Sequence, residues 1–325
     1  MRQRRFEALH RPEWEELARQ LDRLETRRHR HARAQDTPSD LPRRHRRLCH
    51  QQALARERGY SLSLIRELEQ LMLRSHRQLY RQQPPLWSRL GGLVRRDFPR
   101  SVREQGRWNG VSALVFIGAA ALVAVLVHSQ PDMVHTVLDA KTTQQLEQNF
   151  STERSPDRTS ADDLRMFCFY IMNNIGVAFR SFASGLFLGI GSLFIMVFNG
   201  AFLGAAGAHL VNIQQAQPFF GFIIAHGAPE LTAIVLAGGA GLRLGWALVA
   251  PGQRRRLDAL REAAIKTLPV IYGVILLLLA AAFIEAFWSP RQLPLAWKLG
   301  VGAGLWVLVL SYLALGGRGA DGERG

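Results

Sequence analysis

The chain has 325 residues, 41 Lys and Arg against 26 Asp and Glu, and a formal net charge of +15. Its mean hydropathy of −0.02 averages two unlike parts. Residues 1–107 hold 26 arginines and 13 acidic residues, whereas residues 108–325 contain several apolar runs of about 20 residues, enough to cross a hydrocarbon core. Only Cys49 and Cys168 are present, without CxxC or metal spacing, which excludes a disulfide scaffold and a cysteine-based zinc fold. The fold class is all-α: a polytopic helical membrane protein with a basic, cytoplasmic N-terminal bundle.

Residues 1–85 read as three amphipathic helices. Trp14, Leu17, Leu21 and Leu24 form one apolar stripe. Arg33 to Pro42 is a connection, a second helix covers about Arg43–Arg58, and Ser61 and Ser63 offer N-caps for a third, which Pro84-Pro85 stops. The arginines fit a positive-inside, solvated surface better than a nucleic-acid site, because acids are interspersed and no nucleic-acid motif occurs. His29 and His31, two apart, do not share a helix face.

Residues 86–107 combine Leu, Trp, Val and Phe with arginines, and are expected to lie as an amphipathic linker helix in the headgroup region. No apolar core of a secretory signal marks the Arg-rich start, so the first span, Val111–Val127, is expected to act as an internal insertion signal. The Arg-poor loop 129–163, partly helical around Met133–Phe150, should be extracytoplasmic. Segment 166–185 contains Asn173, Asn174 and Arg180 and is a poor span by hydropathy. Arg254, Arg255, Arg256, Arg261 and Lys266 place the loop at 252–266 inside, however, and the count of crossings then requires 166–185 to cross. With spans at 186–208, 219–248, Thr267–Phe287 and Leu295–Leu315, about six membrane segments result within a domain over 108–316. The Gly-rich tail 317–325 is expected to be flexible.

Within the apolar part, Gly185, Gly189, Gly200, Gly204, Gly239, Gly241 and Gly245 have the small-residue spacing that lets helices approach closely, and Gly227 joins them. His226 and Glu230 are four apart and share one helix face, with Gly227 and Pro229 between them predicting a kinked or broken helix near mid-depth. Ionisable groups in a membrane helix are costly and default to function. Two readings stay open: a ligand or ion site, or a structural polar core in which Asn173, Asn174, Asn199 and Arg180 hydrogen-bond His226 and Glu230. With no third ligand apparent and no HExxH, neither a bound metal nor metal hydrolysis is expected.

The paired Asn173-Asn174, LFLGIGSLFIMVFNGAFLG at 186–204 and HGAPELTAIVLAGGAGLRLG at 226–245 resemble the stage II sporulation protein M family. RPEWEEL (11–17), ARERG (55–59), RSHRQLY (74–80) and RRDFPR (95–100) resemble its longer members in non-sporulating bacteria. The count of crossings puts both termini in the cytoplasm, and the resemblance implies an inner-membrane protein that anchors or scaffolds peptidoglycan-remodelling partners and has no established catalysis of its own. Asn173, Asn174, Asn199, Gly200, His226, Gly227 and Glu230 are the matching motif residues. The basic N-terminal part departs from the sporulation form and suggests a related envelope function. Expected partners are membrane lipid and envelope proteins, with self-association open, and no nucleic acid, cofactor or enzyme activity. The alternative is a small transporter or channel using His226 and Glu230.

Overall fold

The computed structural model describes residues 3–26, 40–79, 86–151 and 159–318, and among these all regular structure is helical. Most of the Arg33–Pro42 connection, the Pro84-Pro85 stop and the tail from residue 319 lie outside the described residues. The chain divides into two compact units, Met1–Ser88 and Arg89–Gly325.

The first unit contains α1 (Gln3–Thr26), α2 (Leu41–Glu57) and α3 (Leu62–Leu79). Their apolar stripes converge on one core, in which Phe6, Trp14, Leu17, Leu21, Leu41, Leu48, Leu64, Leu68 and Leu71 are buried. Pro42 falls in the first turn of α2, where a missing N–H costs nothing, so the helix starts inside the expected connection. Ser61 Oγ accepts from Leu64 N at 3.4 Å and caps α3. Trp14 Nε1 donates to Gln51 Oε1 at 2.7 Å, satisfying the one polar atom its ring buries. Several arginines are tied to acids, Arg74 to Asp22 and Glu25, Arg44 to Asp40 and Glu16.

In the second unit, Leu86–Gly92 (α4), a π-helical turn at Leu93–Asp97 and α5 (Phe98–Glu104) lead into α6 (Gly106–Ser129). Within the expected linker helix over 86–107, Phe98 and Val102 are buried in one core with Ala233, Val270, Leu278 and Val309, and Arg103 donates to the Leu313 carbonyl at 3.0 Å, while Trp87 and Val94 are exposed. A short 3₁₀ turn at Pro131–Thr136, then α7 (Ala140–Phe150), α8 (Ser160–Ala183), α9 (Ile190–Asn212), α10 (Ala216–Val249), α11 (Arg256–Phe283, continued by a π-helical turn to Trp288) and α12 (Leu295–Leu315) complete the unit.

The long helix α10 is the hub, touching α6, α8, α9, α11 and α12. Over half of its apolar window is buried, against about a sixth for α6 and α12. Five helices, α6, α9, α10, α11 and α12, are long and apolar enough to cross a membrane. The sixth expected segment is α8, which fails on composition but not on length. Contacts along α10 show how far it reaches. Near one end Asp163 of α8 pairs with Arg291, just past α11, at 3.0 Å, and near the other the Ser181 carbonyl lies against Gly241. α8 is inside-out: Asp163, Asn174 and Ser181 are buried while Leu164, Phe169, Met172 and Phe179 face outward. Its Thr159–Asp162 capping box fixes the start.

Candidate intramembrane polar site

α10 carries His226 and Glu230 on one face. The predicted break is absent, since α10 is a continuous helix across Gly227 and Pro229. The neighbours of Pro229 are small (Ala225, Gly227, Ala228), which leaves room for its ring. Opposite stands the π-helical turn of α11, closed by Ser289 N donating to the Ile284 carbonyl at 2.8 Å. Its wider turn brings Glu285 and Ser289, also four apart, to the same side. Such π-turns interrupt a helix at some cost and recur at functional sites.

The two faces meet closely. His226 Nδ1 and Ser289 Oγ are hydrogen-bonded at 3.0 Å, and His226 Nε2 lies 4.0 Å from Glu230 Oε2. One donor atom each of His226, Glu230 and Glu285 lies within 4.8 Å of the other two. The edge of Phe222 packs on the imidazole at 5.1 Å between centroids. His226 and Glu285 are buried. Lys298 Nζ of α12 donates to the Ser289 carbonyl at 2.9 Å. The cluster sits level with the last turn of α11 and, through Asn174, with the middle of α8.

The expected asparagine network does not form. Asn199 turns back on its own helix, donating to the Ile195 carbonyl at 2.8 Å. Asn173 donates to Asn174 at 2.9 Å, and Arg180, three residues from the end of α8, is exposed. Only Asn174 reaches the site, its amide beside the Glu285 carboxyl. The residues that complete the site, Glu285 and Ser289, were not joined to it from sequence, although their i,i+4 spacing mirrors that of His226 and Glu230.

The glycines divide by role. A β-carbon on Gly200 or Gly204 would collide with the Phe116 or Ala120 carbonyl, so these two seat α6 on α9. Gly185, in a 3₁₀ turn (Ser184–Leu186), and Gly189, with φ +85°, lie between α8 and α9, nested against Gly241 and Gly245 of α10, and Gly239 accommodates Asn109 of α6. Gly227 differs, because a β-carbon there would meet only Leu231 of its own helix, at 3.9 Å; it is not a close-approach glycine.

Chemically, the arrangement offers an imidazole and two carboxylates converging in an apolar bundle, a set that can hold a proton or a cation. The family model for stage II sporulation protein M matches residues 112–290, from α6 through Ser289. A second model, described as a domain of unknown function, matches residues 4–81, the three-helix unit. No curated protein and no solved structure matches the chain.

Proposed function

The chain belongs to the stage II sporulation protein M family, and from that premise we propose that it is a multi-pass scaffold of the bacterial inner membrane, recruiting or positioning proteins that remodel peptidoglycan. The observation that carries this reading is a groove of about 580 Å³ on the side of the bundle, between α6, α9 and the start of α10. It is lined by Ile117, Ala124, Gly207, Ala208, Val211 and Phe220, an apolar wall with small residues that a neighbouring transmembrane helix can pack against. The occupant we assign is the membrane anchor of an envelope-remodelling enzyme. Six traversals with the Arg-rich loop after α10 inside put both termini in the cytoplasm and α7 outside. The three-helix unit then faces the cytoplasm, available for a second partner, and the departure from the short sporulation form favours an envelope role outside sporulation.

A photo-cross-linking residue at Val125, in the groove, tests this in native membranes against one at Leu308, exposed on α12. The expected result is one discrete adduct from position 125, identified by mass spectrometry as a peptidoglycan-active protein, and none from 308. Adducts to lipid alone, or the same products from both positions, would sink the scaffold reading.

A second reading, a small transporter or channel, is favoured by the converging His226, Glu230 and Glu285. It requires ion flux in proteoliposomes that Glu230→Gln abolishes.

A further inference from the structure

Glu230 and Glu285 project from two different helices toward His226, and this convergence has no part in a scaffold. Glu285 is only 9 % exposed, and beyond the Asn174 amide beside it its Oε2 makes no hydrogen bond. Buried polar atoms are rarely left unpaired, and two ionised carboxylates this close carry a charge of −2 that a neutral imidazole does not offset. Arg291 of the same α11–α12 connection is engaged with Asp163.

We infer that His226, Glu230 and Glu285 bind a divalent transition-metal cation of the zinc class, through His226 Nε2 and one oxygen of each carboxylate. The donor set selects the metal: an imidazole with two carboxylates suits zinc, manganese or iron better than calcium or magnesium, which prefer all-oxygen shells. Bond lengths of about 2.0–2.2 Å put tetrahedral donors roughly 3.4 Å apart. The 4.0 Å from His226 Nε2 to Glu230 Oε2, and the 4.8 Å limit on the trio, close to that by small side-chain rotations with α10 and α11 held in place. Ser289 is the positioning residue. Its hydroxyl is hydrogen-bonded to His226 Nδ1, and with that nitrogen protonated Nε2 is left turned toward the acids, the arrangement an outer partner gives a metal-bound histidine. Three protein ligands leave a fourth position for water or an incoming ligand. The cross-linking outcome of the scaffold reading does not depend on this site, so either can fail without the other.

Full-length protein in mild detergent, stripped with a chelator and dialysed, is titrated with Zn²⁺ and with Co²⁺. Metal content by mass spectrometry, Co²⁺ visible absorption and thermal unfolding are the readouts. One metal per chain, a visible Co²⁺ spectrum and a higher Tm with Zn²⁺ are expected. Glu285→Gln and Glu230→Gln should each weaken binding at least tenfold, Ser289→Ala about 10–100-fold, and Glu147→Gln, whose partner is His209, not at all. Stripped wild-type protein that takes up no stoichiometric metal and shows no Tm shift overturns the inference, whether or not any variant folds; carboxylates that hold protons instead give that result. Binding unchanged in the Glu230→Gln/Glu285→Gln double variant overturns it as well.

Discussion

Two glycines one motif apart should respond oppositely to a single methyl group. A β-carbon on Gly241 would collide with Ser192 Oγ and crowd the carbonyls of Ser181 and Phe182, so Gly241→Ala should cost about 1–3 kcal/mol through overpacking. Gly227→Ala adds an ordinary contact with Leu231 and should stabilise α10 by about 0.5–1 kcal/mol through reduced backbone freedom. Thermal unfolding in detergent compares them, and equal midpoints would refute this division of roles. The small-residue spacing was legible in the sequence, but which glycine touches which helix was not, since i,i+4 spacing looks the same whether the partner is α6, a turn or nothing. His226 and Glu230 were legible as a pair for the same local reason, while Glu285 enters only when α11 folds against α10. In the N-terminal unit, the Ser75 hydroxyl donates to the Met72 carbonyl at 2.9 Å, so it accepts from His45 Nδ1 at 2.7 Å. Burial, and secondarily the neighbouring His76, hold the His45 pKa below its ordinary 6.5. The unfolded chain therefore binds a proton below pH 6.5 that the folded pocket refuses, and stability falls as the pH drops below that value. Hydrogen exchange of α2 and α3 should quicken from pH 7.5 to 5.5 after correction for intrinsic rates, and His45→Gln should flatten that trend. An equal trend in the variant would place the titrating group elsewhere.

At the scale of elements, α8 decides the topology. Hydropathy passes over it because its polar residues point inward and are averaged with the apolar ones that point out; the parity of the basic loops, not composition, makes it a candidate crossing. A buried Asp163 paired to Arg291 is tolerable at a bundle end, where water reaches the pair, and Arg180 at the other end extends toward the boundary. If α8 crosses, the loop after α6 and the loop after α10 lie on opposite sides of the membrane. In a Cys49→Ser/Cys168→Ala background, Thr136→Cys should react with an impermeant maleimide in intact spheroplasts, and Gln253→Cys only after permeabilisation. Equal labelling of both in intact spheroplasts would put α8 on one surface and leave five crossings. The linker before α6 shows the opposite limit of local reading. Phe98 and Val102 look like an interfacial face, yet both insert among α8, α10, α11 and α12. An amphipathic period reports that a face is apolar and is silent on whether lipid or protein covers it.

For the whole molecule, no described hydrophobic cluster joins the two units: one of leucines around Trp14 fills the first, and those of the second include one around α10. The expected end of the bundle at residue 85 and the fall in arginine density near residue 107 lie on either side of the division after Ser88, because Arg89 to Glu104 are charged in sequence and belong to the second unit. Separate cores predict separate unfolding. Urea exposes the water-facing three-helix unit to full denaturant, whereas detergent shields the membrane helices and their internal backbone hydrogen bonds. The full chain should lose the first unit at a lower urea concentration, with the residual helicity of the bundle persisting beyond it. Trp14→Phe removes the indole N–H that Gln51 accepts and leaves that buried amide oxygen short of a donor, at a cost of about 1–3 kcal/mol. This should shift only the early transition, read by limited proteolysis between α1 and α3 alongside far-UV circular dichroism. A single transition that moves as a whole in Trp14→Phe would mean that the two cores stabilise one another, and that the three-helix unit is part of the membrane assembly rather than a platform of its own.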